Sequence, residues 1–295
     1  MNDFILSCCS TADMTNEHFK NRNINYAAFH YFLDGIQYAD DMGKTVPLDK
    51  FYEKMANGSD TRTSQINIDE YYDYFEPFLS AGKDVLHICL SSGLSGSYNS
   101  ARIAASDLRE KYPERKIYIV DSLAASSGFG LLVDALADLR DDGKDIDYIY
   151  NWAEENKLRV HHWFFSTDLS FYVKGGRVSK MAGLFGTALK ICPVLCVDAN
   201  GKLVPKAKMR GKANAAKEVF SKMCENADNG ENYNNKCFIS HSACPEDAAA
   251  VADLINKNFK NMENKPEIYS IGTTIGSHTG PGTVALFFWG KKREL

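Results

Sequence analysis

The first half of the chain alternates short, β-branched apolar runs with longer stretches whose apolar positions recur at helical spacing. Phe4 to Cys9, Val85 to Leu90 and Lys116 to Val120 read as strands, with the near-continuous hydrophobicity of strands buried on both faces. Between them, Ser97 to Lys111 puts Ile103, Ala104 and Leu108 at helical spacing, and Phe51 to Met55 is helical too. Strand–helix–strand alternation predicts a mainly parallel sheet flanked by helices. The texture changes after Lys157. Val160 to Phe165, Ile191 to Val197, Leu203 to Met209, Phe238 to Ser240, Ile268 to Ile271 and Val284 to Trp289 read as strands, and Ala213 to Met223 and Glu246 to Phe259 as helices. Asn200-Gly201, between two of those strands, is the strongest hairpin signal in the chain. A boundary near residue 157 follows, with an N-terminal α/β domain over 1–157 and a C-terminal α+β domain over 158–295.

Composition narrows the function classes. With 295 residues, 44% of them hydrophobic, the chain can bury a substantial core. A formal charge of −4 gives no electrostatic reason to expect nucleic acid, and Lys291-Lys292-Arg293 reads as a solvated tail. The N-terminus lacks the basic start and apolar core of a signal peptide, and no run approaches the roughly 20 apolar residues that span a bilayer. Both features predict a cytoplasmic protein with reduced thiols. The eight cysteines are dispersed, with Cys89, Cys192, Cys196 and Cys237 inside apolar runs, which suits buried thiols. There is no CxxC pair, so zinc-ligand spacing is missing and no metal is expected. His161-His162 lies in an apolar strand, where alternation predicts one ring in the core and the other in solvent.

Four segments are rich in small residues and hydroxyls, three of them with a cationic or imidazole side chain, in ways a core does not need. They are Thr61-Arg62-Thr63-Ser64-Gln65, Ser91 to Ser97 (SSGLSGS), Lys174 to Lys180 (KGGRVSK) and Gly276 to Gly282 (GSHTGPG). The second follows a strand and opens a helix, where unpaired backbone N–H groups and the helix dipole favour a negative group. Gly93 and Gly96 permit close approach, and the serines add donors; an ordinary serine-capped turn fits the same spacing. Gly93-Leu94-Ser95-Gly96-Ser97 approximates a nucleophile elbow with Ser97 at the last glycine position, and His278 with Asp121 would complete a triad. A serine hydrolase or acyl-transfer enzyme using Ser95 and His278 is therefore one reading, and a stand-alone lipid-binding sensor another. No phosphate loop or dinucleotide fingerprint occurs.

These four loops, in this order, resemble the DegV family of bacterial fatty-acid-binding proteins, which includes the acyl-carrying subunits of fatty acid kinase. The match extends from Ser10-Thr11-Ala12-Asp13 to the last strand, and Thr63-Ser64-Gln65, SSGLSGSYNSA (Ser91 to Ala101), KGGRVSK and SHTGPG (Ser277 to Gly282) carry it. The resemblance implies a two-domain DegV-like α/β fold with a long-chain fatty acid in a tunnel between the domains and no further cofactor. It implies that Thr63 and Ser95 hold the carboxylate with His278 near the head group. Ser64, Ser92, Gly96, Arg177, Arg210 and Thr279 then face the head group or the partner. The implied partner is an ATP-binding fatty acid kinase catalytic subunit, with this chain as a non-enzymatic, substrate-presenting subunit in phospholipid metabolism; a transient membrane contact fits that role. Two positions depart from the family pattern: Cys9 stands at the aspartate of its T-D-S-T-like opening turn, and Ile66 at the proline after TSQ.

Overall fold

A computed structural model describes residues 4–179, 191–262 and 264–294. Three sheets organise it. The first is parallel, in the order β2-β1-β6-β7, built from β1 (Phe4–Cys9), β2 (Asn25–Ala27), β6 (Asp84–Cys89) and β7 (Ile117–Asp121). Helices α3 (Ile68–Ser80) and α4 (Ser97–Lys111) pack together beside it. Asn67 and Glu70 form a reciprocal capping box at the start of α3, satisfying two otherwise orphaned N–H groups.

The second sheet is mixed and six-stranded, in the order β10-β9-β8-β13-β11-β12. Its strands are β8 (Val160–Ser166), β9 (Ile191–Val197), β10 (Leu203–Arg210), β11 (Cys237–His241), β12 (Glu267–Ser270) and β13 (Thr283–Trp289). Only β11 and β12 pair in parallel. All these strands lie beyond residue 159, yet one continuous buried apolar cluster runs from Phe4 to Trp289. Helix α5 (Ser126–Asp141) joins the halves. A Cβ at Gly128 would lie 2.4 Å from His162 Nε2 and from Phe287, and one at Gly130 would lie 2.7 Å from Ala12 O. Two glycines on one helix thus let it touch both sides at once.

The third sheet escaped the periodicity reading. Strands β3 (His30–Leu33), β4 (Ile36–Ala39) and β5 (Thr61–Ser64) form an antiparallel sheet in the order β4-β3-β5. Four-residue strands are too short to show a period. Their usable signal was Asp34-Gly35, whose φ values of 51° and 83° make a two-residue hairpin turn. A small cluster of Tyr31, Leu33, Phe51, Tyr52 and Met55 underlies it, the last three from helix α2 (Leu48–Ala56).

Three further expectations need correction. His161 and His162 are both buried, at 6% and 1% exposure, because the six-stranded sheet is covered on both faces. Helix α5 covers His162, while α8 (Lys212–Asn226) covers the face of His161 and Trp163, with Lys222 Nζ 5.8 Å above the Trp163 ring. The tail is not wholly solvated: Arg293 is 7% exposed and donates to the carbonyls of Val197, Asp198 and Leu123. Finally, most of the fourth loop is helical. Thr273–Thr279 forms α10, which packs on β5, β3 and α2 and so sets His278 on a packed surface.

Candidate functional site

The four glycine- and hydroxyl-rich segments meet. Each is locked to the next by a contact that only its small or polar residue allows. Gln65 follows β5, and its Oε1 would lie 2.6 Å from a Cβ at Gly96, so the first segment nests on the second. Arg177 Nε donates to Leu94 O at 3.2 Å, joining the third to the second, and Arg177 Nη1 donates to Gly175 O. A Cβ at Gly175 would lie 2.2 Å from His278 Nδ1, which presses the third against the fourth. His278 Nε2 and Thr63 Oγ1, 2.7 Å apart, close the ring.

The ring lines a cavity of about 610 Å³, which reaches solvent at the exposed Ser92 and Gly96. Thr63, Ser64, Ser92, Ser95, Gly96, Arg177, His278 and Thr279 all line it. Beyond them the wall turns apolar, with Phe29, Leu90, Phe164, Val197, Leu203 and Phe287 among its residues. That volume falls within the range of small-molecule sites, and such a wall with a few convergent polar groups is their usual design. Arg210 is not among the lining residues: it lies exposed at the end of β10, at the opposite end of that strand from Leu203. Lys180, the last residue of the third motif, lies outside the described residues.

The hydroxyls are placed to donate. Ser95 N–H bonds back to Ser91 O, and Ser95 Oγ accepts from Ser97 N at 3.2 Å at the start of α4. An Oγ that accepts from the backbone keeps its proton for the cavity. Burial, with Arg177 adding to it, lowers the His278 pKa from 6.5 to about 4, so the ring is neutral at neutral pH. Burial also lowers the pKa of Arg177.

His162 is the lining residue that sequence reasoning set aside as structural. Its Nδ1 lies 3.0 Å from Val160 O and its Nε2 accepts from Ala125 N at 3.3 Å, which fixes a neutral ring on the cavity wall. Burial holds its pKa well below the ordinary value. Only its place between Phe287 and a helix glycine identifies it, and neither neighbour is near it in sequence.

A hydrolase relay is not assembled. His278 pairs with Thr63 rather than Ser95, and Asp121 Oδ1 accepts from the N–H groups of Ser92 and Leu123.

A family model described as an uncharacterised protein of the DegV family matches residues 9–291. A DegV domain-containing protein of Clostridium perfringens is 38% identical over 294 residues, covering 100% of both chains. Among solved structures, a Thermotoga maritima protein described as revealing fatty acid binding function superposes with a TM-score of 0.81 at 26% identity, covering 99% of this chain and 100% of that one. The Streptococcus pneumoniae fatty acid kinase B3 protein, loaded with linoleic acid, superposes with a TM-score of 0.84 at 20% identity, covering 98% and 100%, a likeness of fold. A mixed α/β architecture shared along the whole length, and a family match spanning nearly all of it, place this chain in the DegV family.

Proposed function

We propose that this protein binds a long-chain fatty acid and presents its carboxylate to an ATP-binding fatty acid kinase subunit, without catalysing the transfer itself. In this reading residues 1–157 and 158–295 are two domains that enclose the ligand, and the protein works in the cytoplasm. No helix among the described residues is long and apolar enough to cross a membrane. The observation that carries the reading is the closed ring of four polar loops at the mouth of an apolar cavity.

Burying a chain of ~16 carbons yields roughly 0.8 kcal/mol per methylene, or about 12 kcal/mol before association and ordering costs. The tail therefore sets affinity. The carboxylate cannot be buried unpaired, so the mouth sets orientation. Thr63 has a single hydroxyl proton. If it gives that proton to the carboxylate, it must accept from His278, which puts the imidazole proton on Nε2. Neutral His278 can play this part, and Ser95 supplies the second O–H. The oriented carboxylate oxygen then attacks the γ-phosphorus of ATP held by the partner; acyl phosphate forms and ADP leaves, a transfer in which positioning dominates. Arg177, tied to the Ser95 loop, contributes positive charge beside that end.

Mass spectrometry of lipid extracted from the purified protein, followed by an assay with ATP and a fatty acid kinase catalytic subunit, tests the proposal. A stoichiometric C14–C18 fatty acid, phosphorylated only when the partner is added, is expected. Phosphorylation by this chain and ATP alone refutes the division of labour, and recovery of no lipid with no binding of added palmitate refutes the ligand.

A further inference from the structure

On the α3 side of the parallel sheet, joined to the Ser91–Ser97 loop through the Tyr71–Ser97 hydrogen bond, lies a second polar cluster. Cys9, His87 and Cys89 are fully buried, and their Sγ, Nε2 and Sγ atoms lie within 4.8 Å of one another. The parallel register explains how residues so far apart in sequence meet. Ser7 pairs with His87, so the next residues on the same face, Cys9 and Cys89, fall side by side. Tyr71 from α3 brings a phenol oxygen 3.3 Å from Cys9 Sγ.

The geometry points to a structural metal site in which Cys9, Cys89 and His87 bind zinc or a zinc-like thiophilic ion, with the Tyr71 oxygen, which also meets Ser97 Oγ at 2.7 Å, next to Cys9. Zinc–sulfur bonds of about 2.3 Å and zinc–nitrogen bonds of about 2.05 Å at tetrahedral angles put neighbouring S and N ligand atoms about 3.6 Å apart. Cys9 Sγ and His87 Nε2 are 3.6 Å apart. The outer contacts are those a ligating imidazole uses. His87 Nδ1 meets Ser7 Oγ at 2.9 Å, and Ser7 Oγ meets Tyr74 Oη at 2.7 Å. With its proton on Nδ1 and donated to Ser7, the ring presents the Nε2 lone pair to the ion. Two thiolates balance a divalent charge, and binding releases both thiol protons to water. The absence of CxxC spacing does not count against such a site, because its ligands are assembled across two strands rather than along one loop. Since none of the three is exposed, the ion enters as the chain folds.

Full-length protein is expressed with zinc, and separately with cobalt in its place, then purified without oxygen. About one equivalent of metal is expected, with a thiolate-to-cobalt charge-transfer band and tetrahedral ligand-field bands. The variant C224S, which removes the exposed cysteine, keeps them. The double variant C9A/C89A loses both metal and bands, and H87Q shifts the ligand-field bands while keeping charge transfer. Wild-type protein that takes up no stoichiometric metal under either condition overturns the site without recourse to any variant. Bands that survive in C9A/C89A, or a Cys9–Cys89 disulfide as the only product, overturn it as well.

Discussion

At the scale of single residues, the mouth of the cavity is a problem of counting protons. Thr63 Oγ1 sits 2.7 Å from His278 Nε2, and a hydroxyl can donate only once. Thr63→Val preserves shape and removes both the donor and the acceptor. A hydrogen bond to a charged group contributes about 1.5–3 kcal/mol, so fatty acid affinity should fall about 10- to 100-fold. Displacement of a fluorescent fatty acid, monitored by titration, measures it; unchanged affinity would move the head group elsewhere. Ser95 and His278 stand out in the sequence because a hydroxyl or imidazole amid glycines serves no core, whereas Thr63, with no glycine beside it, is picked out only by the resemblance of its TSQ motif to the family. His162 and Arg293 do not stand out. The former sits in an apolar run, the latter in a basic tail, and the defining neighbours come from distant parts of the chain: Ala125 before α5 for His162, and Val197 of the second sheet for Arg293.

Elements with a clear apolar run are legible, even the four-residue β12, and those without one are not. Ser97 to Lys111 and Ile191 to Val197 have the bounds the periodicity predicts. The strands β3, β4 and β5 hold four residues each, and α10 carries glycine and histidine where a helix former would be expected. Tertiary contact decided those: α10 is held by its packing on α2, β3, β5 and α7 (Ser170–Lys174). The helix α5 makes its own prediction. Gly128→Ala puts a methyl group 2.4 Å from His162 and Phe287, so the helix must back away from the sheet. Overpacking of this kind costs about 1–3 kcal/mol, which exceeds the gain of ~1 kcal/mol from replacing a helical glycine. Urea denaturation of the variant should show a lower midpoint. A raised midpoint would mean that the contact relaxes freely.

For the whole molecule, buried histidines set the response to acid. Burial lowers the His161 pKa from 6.5 to about 4, and its Nε2 lies 2.7 Å from Lys291 O. A group depressed on folding gives stability that is present above the unfolded pKa and lost as pH falls toward the folded one. Between those values the unfolded chain binds the proton and the fold does not, so stability drops by about 1.4 kcal/mol per pH unit for each such histidine. Asp13 and Asp40, raised chiefly by burial, act in the opposite sense, so the histidine effect is best isolated by difference. His161→Gln can still donate to Lys291 O but does not titrate. Unfolding free energies of the two proteins at about pH 7 and about pH 5 should diverge, with wild type losing more; parallel curves would show that His161 takes up its proton within the fold. The position of β13 carries a consequence for synthesis. It lies inside the six-stranded sheet between β8 and β11 and supplies Ala285 and Phe287 to the cavity wall, yet it follows every other strand of that sheet in the chain. A nascent chain that has not yet released β13 therefore has loops without a chamber behind them, and the cavity wall closes only once that strand has emerged.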